Sequence, residues 1–198
     1  MAFSLPWLLD AASRCARDPA EARATGGGAS LKSTAEGVLR GDGDRCAVRF
    51  ERLYDYTVDE LWSALTEPEQ LRGWLAHASR FELEVDGEIA LHFGDEPDGG
   101  HTRWRVREVN PGRVLECEWH YPGEEPSIVR FECHARERGS LLILDHRRLA
   151  AENAPGYAAG WHAHLDALAN LFGTKSLDWY RRYRELRPDY EEAAARLP

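Results

Sequence analysis

The stretch Tyr157–Phe172, YAAGWHAHLDALANLF, decides how the rest of the chain is read. Trp161, Leu165, Leu168 and Phe172 recur at spacings of four, three and four, which predicts one apolar face of a helix with a period of about 3.6 residues. His162, Asp166 and Asn170 mark a second, polar face. Pro155 and Gly156 precede the run and Gly173 follows it, the punctuation expected at the two ends of a helix. Most of what lies before this segment alternates in steps of two, as β-strands do. A sheet with one apolar face needs a cover, and this helix is the natural one.

The alternation is dense. Phe81, Leu83 and Val85 alternate with Glu82 and Glu84, and Asp86-Gly87 turns the chain into a row of Ile89, Leu91 and Phe93. After the acidic, Gly-rich stretch GDEPDGG at 94–100 come Trp104 and Val106 between arginines, then the turn Asn110-Pro111-Gly112. Leu115, Cys117 and Trp119 form the next row, followed by Val129, Phe131 and Cys133, and by Leu142, Leu144 and His146. Charges fill the intervening positions, so these are expected to be antiparallel strands with one face buried and one wet. Upstream, the turn cluster Gly41-Asp42-Gly43-Asp44 predicts a hairpin of residues 36–40 and 46–56. Thr57 and Glu60 make a capping box for a helix to about Leu65, and Pro68 opens a second short helix ending at Trp74. The order is α+β: strands, two short helices after the first long strand, a meander, then the long helix.

The flanks read differently. Residues 4–17 can form a short amphipathic helix, and ATGGGAS at 24–30 reads as a flexible linker. Residues 1–30 are therefore expected to be an appendage, 36–173 the domain, and 174–198 a helical extension and tail. In that extension Leu177, Trp179, Tyr180, Tyr183 and Leu186 suggest a helix stopped at Pro188, with a frayed end after Tyr190. Its aromatics either cap one end of the domain or meet a second copy, which leaves a homodimer open.

The chain has 198 residues, 43% hydrophobic and 30% charged, with a net charge of −9. That composition is ordinary for one globular domain with extensions. The acidity argues against a broad affinity for nucleic acid or anionic lipid. Cys15, Cys46, Cys117 and Cys133 form no CxxC pair, so no zinc or redox motif is expected. No signal-peptide pattern and no apolar run of membrane-spanning length is present in the sequence. The expectation is a reduced, cytoplasmic protein without integral membrane association.

Four pieces in order carry a resemblance. The run Arg49–Trp74, RFERLYDYTVDELWSALTEPEQLRGW, is the first. The others are Glu108-Val109-Asn110-Pro111 through Trp119, Gly139 through His146, and Gly160-Trp161 with Leu165 and Leu168. Over residues 36–173 the chain resembles helix-grip proteins of the START/SRPBCC superfamily, in the branch homologous to the activator of the heat-shock protein 90 ATPase. The resemblance implies a curved antiparallel sheet wrapped around the long C-terminal helix, with a cavity between them. In the superfamily such a cavity often holds a lipid, sterol, polyketide or other apolar molecule. The fold also hosts cyclases, hydrolases and co-chaperone domains, so it does not by itself fix function.

Arg52 shares strand parity with Val48, Phe50 and Tyr54 and so points inward, where a guanidinium needs a partner. That partner is either structural, an ion-pairing carboxylate or a backbone carbonyl, or it is a carboxylate or enolate ligand. His146 ends an inward row and is either a satisfied core histidine or a ligand contact. His162 and His164 diverge by roughly 200° on a helix and cannot share one metal ion. Nothing in the spacing calls for a metal or a cofactor. A ligand is expected between helix and sheet, against Trp74, Phe93, Trp104, Trp119, Phe131, Trp161 and Leu165, with Arg52, Tyr56 and His146 as polar contacts.

Three functions follow. The leading one is binding of a small apolar or amphipathic molecule without catalysis. The second is a cyclase- or hydrolase-like enzyme using Arg52, His146 and water. The third is a protein-interaction module of the heat-shock ATPase activator type, with a chaperone as partner. The size and lining of the pocket discriminate among them. Because ATGGGAS separates residues 1–30 from the domain, deleting them is expected to leave the thermal unfolding midpoint nearly unchanged; a large drop would mean that they cover core surface.

Overall fold

The computed structural model describes residues 37–93, 100–173 and 177–197. The helix expected over 4–17, the linker at 24–30 and Cys15 lie outside the described residues. Among the described residues eight strands form one antiparallel sheet. They are β1 (Val38–Asp42), β2 (Arg45–Tyr54), β3 (His77–Phe81), β4 (Glu88–Phe93), β5 (Gly100–Asn110), β6 (Val114–His120), β7 (Ser127–Ala135) and β8 (Ser140–Leu149). Their order across the sheet is β1-β2-β8-β7-β6-β5-β4-β3. Two short helices, α1 (Val58–Thr66) and α2 (Pro68–Arg72), interrupt the strands after β2. The long helix α3 (Ala154–Leu168) lies on the inner face, and α4 (Trp179–Ala194) packs on α3. This is the helix-grip architecture.

Period-two patterning places the core. Ile89, Leu91, Trp104, Val106, Leu115, Cys117, Trp119, Val129, Phe131, Cys133, Leu142, Leu144 and His146 are all buried on the inner face. The intervening charges pair across the outer face: Glu116 accepts from Arg130 and Arg147, and Asp145 accepts from Arg40. The sheet thus has one dry side and one laced with ion pairs. A bulge in β8 at Arg147–Arg148, opposite Ala47, keeps both His146 and Leu149 buried, and Arg148 takes a left-handed φ of 64° to make it. Gly139, at φ 77°, turns β7 into β8 against the end of β2, where a Cβ would collide with the Tyr54 carbonyl. The α1 capping box forms as expected, with Thr57 and Glu60 bonding each other's backbone amides.

Several details depart from the pattern. Val85 is 58% exposed and no strand covers residues 82–87. The Glu82 side chain accepts from the Glu88 amide, Asp86 adopts φ 68°, and its amide bonds the Val106 carbonyl, so the chain turns before a strand can extend. Pro155 and Gly156 lie inside the first turn of α3, where a proline costs no hydrogen bond. Phe172 lies beyond the end of α3, 53% exposed, with its edge against the Tyr56 ring. Pro188 does not stop α4, which continues to Ala194. Pro188 and Arg184 both face outward, so the Arg184 carbonyl that loses its amide partner lies on the solvent side. Tyr190 is buried, and residues 191–194, expected above to fray, continue the helix.

The polar face of α3 is likewise not wet. His162 is buried and Asp166 half-buried, because α4 covers them. Leu165, on the sheet side, is fully buried. Leu165→Ala is expected to cost about 2–5 kcal/mol of stability, read from urea unfolding; a loss below about 0.5 kcal/mol, the scale of a surface substitution, would show that face to be solvent-exposed.

Candidate functional site

Two neighbouring spaces lie beside α3. The inner one is a chamber between α3 and the sheet, lined by Leu75, Phe93, Trp119, Tyr121, Tyr157, Trp161 and His164 together with Gly156 and Gly160. Its volume is about 20 Å³, room for about one water molecule. The outer one is a half-open groove of about 380 Å³ between the end of α2, β4, α3 and the start of α4. Trp74, Phe93, Trp179 and Tyr180 supply its aromatic walls, Ala167 its floor on α3, and Arg72 its rim. Leu75, Phe93 and His164 belong to both spaces and form the partition between them.

The chamber is small because aromatic rings fill the grip. Trp104 packs on Trp119 at 5.3 Å and on Phe131 at 5.9 Å, and Trp161 sets its edge against Phe131 at 5.7 Å and Trp119 at 5.6 Å. Such offset and edge-on contacts are favourable beyond the area they bury. Of the apolar residues expected to line a ligand, Phe93, Trp119 and Trp161 face the chamber, and Trp74 with Phe93 faces the groove. Trp104, Phe131 and Leu165 lie behind them in the packed core.

The three polar residues expected at the site lie outside both spaces. Arg52 donates to Asp166 Oδ1 at 3.1 Å, and Arg182 of α4 donates to Asp166 Oδ2 at 2.7 Å. Tyr56 donates to the carbonyls of Leu168 and Ala169, closing the C-terminal end of α3. His146 is fully buried between Trp161 and Ser127. Arg52 and His146 do not converge. Arg52 pairs with Leu142 across the sheet and Val48 with His146, a separation of about 13 Å along the strand.

Ser127 and His146 superficially resemble a nucleophile and its base, with Oγ and Nε2 2.8 Å apart. The tautomer rules this out. Trp161 Nε1 can only donate, and it bonds His146 Nδ1 at 2.9 Å. Nδ1 is therefore the acceptor, and the ring proton sits on Nε2 and is given to Ser127. A base must accept the serine proton at that nitrogen, which here already carries one. Burial holds the His146 pKa down at about 3, so the ring stays neutral.

The residue that sequence reasoning passed over is His164. Its Nδ1 lies 2.8 Å from the Trp74 carbonyl oxygen, to which it donates. Burial lowers its pKa to about 4, against the opposing effect of that hydrogen bond. Its ring packs against Trp179 at 4.9 Å and Phe93 at 5.9 Å. The available signal was the i, i+3 relation to Trp161, which places the two on one side of the helix. His162, by contrast, faces α4 and bonds the Tyr190 hydroxyl. Among the described residues no cluster of three His, Cys, Asp or Glu side chains could hold a metal, and no helix is long and apolar enough to cross a membrane.

Comparison with known proteins matches residues 55–173 to the family described as Activator of Hsp90 ATPase homolog 1-like protein. CalU16 from Micromonospora echinospora is similar in structure, with a TM-score of 0.68 at 24% identity, over 81% of this chain and 98% of that one. The protein encoded by BPP1335 of Bordetella parapertussis matches with a TM-score of 0.63 at 29% identity, over 81% of this chain and 93% of that one. DynU16, from the dynemicin biosynthetic locus, matches with a TM-score of 0.59 at 24% identity, over 67% of this chain and 48% of its own. No curated protein matches the chain.

The Arg52–Asp166 pair generates a direct test. Arg52→Met is expected to lower stability by about 1–3 kcal/mol, because it strips a charged hydrogen bond from a half-buried carboxylate. A double-mutant cycle with Asp166→Asn, read by urea unfolding, should give a coupling energy of about 0.5–3 kcal/mol. Strictly additive losses would show that the two residues do not act together.

Proposed function

This chain belongs to the family of Activator of Hsp90 ATPase homolog 1-like proteins, and we propose that it binds a small apolar or amphipathic molecule in the groove beside α3. The observation that carries this reading is the groove itself. At about 380 Å³ with walls of Trp74, Phe93, Trp179 and Tyr180, it falls within the range of small-molecule sites, which are mostly apolar with a few placed polar groups. Apolar walls supply non-directional affinity, and Arg72 at the rim and His164 at the partition supply orientation. The inner chamber, at about 20 Å³, holds no ligand of that size without a shift of its partition. Chemistry by Arg52 and His146 finds no support, since one is engaged by Asp166 and the other is sealed against Trp161 and Ser127.

Native mass spectrometry of the protein from its own source should reveal a retained molecule. A sharper test fills the groove. Ala167 is only half-buried on α3 and lines it, so Ala167→Trp should occupy the space with little effect on folding. Binding of an anilinonaphthalene sulfonate dye should weaken at least tenfold, about 1.4 kcal/mol, while the melting temperature moves by no more than a few degrees. Unchanged dye affinity in a folded variant would put the binding elsewhere and sink the proposal.

A further inference from the structure

Resting on the binding reading above, we propose a chemical class for the groove's ligand: a flat aromatic body bearing a hydroxyl, whose proton is accepted by His164 Nε2. Three observations lead there. The first is the tautomer. The Trp74 carbonyl can only accept, so the 2.8 Å contact puts the ring proton of His164 on Nδ1. A neutral imidazole then presents Nε2 as a bare lone pair on its opposite edge. The second is that this lone pair has no hydrogen-bond partner among the described residues, although His164 is only 8% exposed. Nε2 is not among the fully buried polar atoms left without a partner, so it reaches open space, and a donor arriving with the ligand can take the place of solvent there. The third is position. His164 forms part of the partition shared by chamber and groove, flanked by Phe93 and Trp179.

Two other polar groups on these walls are already engaged. The Trp74 indole N–H donates to the Ala64 carbonyl, and the Tyr157 hydroxyl donates to Glu124. The acceptor character of His164 persists across the physiological range, because burial keeps the ring neutral down to a pKa of about 4. The ring faces around it favour an aromatic body, which stacks or sets its edge against indole and phenyl groups. A hydroxyl donor on such a body meets Nε2 while the rest of the molecule stays in the apolar groove. A ligand of the same shape without the donor would cover Nε2 without satisfying it, and discrimination by a polar group covered in this way is large.

The test compares 2-naphthol with its methyl ether, by calorimetric titration of the full chain near pH 7. The ether is the more apolar, so hydrophobic burial alone would favour it. The expected result is that the naphthol binds at least tenfold tighter, and that His164→Phe abolishes this preference. In the unaltered protein, imidazole nitrogen NMR provides a readout that needs no variant. The His164 Nε2 resonance should shift with the naphthol and stay in place with the ether. Equal affinities, or an unmoved Nε2 resonance on naphthol binding, would overturn the hydrogen bond while leaving the apolar site standing. Failure of both probes to bind would overturn the site as well.

Discussion

One carboxylate, Asp166, ties three layers of this molecule together. It sits on the face of the long helix turned away from the sheet, yet Arg52 reaches it from the sheet and Arg182 from the outer helix. His162, one turn earlier, stands 3.8 Å from the same carboxylate and shares a hydrogen bond with the Tyr190 hydroxyl, whose oxygen in turn accepts from the Gly37 amide. A charge in such a place is tolerable only when it is paired, and removing one partner is more damaging than never having had the pair. The consequence is geometric. The helix is gripped on one side by apolar rows and held on the other by a short polar chain from the first strand to the last helix.

The same grip explains where free space is found. Large rings from β5, β6, β7 and α3 meet at the centre of the sheet and consume nearly all the volume under the helix. What remains there is of water size, and a groove of about 380 Å³ lies at the flank, where α4 leans over the end of α2. Where the resemblance implied a cavity between helix and sheet, this chain has a filled interior and a lateral groove.

Much of this was legible in the residues. Alternation of apolar and charged positions located the inner face of every strand from Ile89 to His146, and the Thr57–Glu60 box located α1. What escaped was tertiary. Arg52 was correctly read as pointing inward, but its partner lies 114 residues away, beyond any local pattern. The polar stripe of α3 looked like a solvent face because local periodicity cannot say that another helix will cover it. Pro188 looked like a terminator because propensity outweighs context in a sequence reading, whereas an outward-facing proline inside a docked helix loses only one bond on the wet side. His164 was hidden by its neighbour. The HxH spacing drew attention to a metal, while the role of each imidazole depends on which element it meets.

The groove's outer wall, Leu177, Trp179 and Tyr180, belongs to the start of α4 and the segment just before it. The site therefore exists only while that segment is docked, and anything bound there shares its free energy with the docking. By linkage, a ligand that binds the closed arrangement and not the detached one makes detachment rarer in proportion to its occupancy. The C-terminal helix becomes a reporter of occupancy: its backbone amides would exchange with solvent through local opening when the groove is empty, and through rarer events when it is filled.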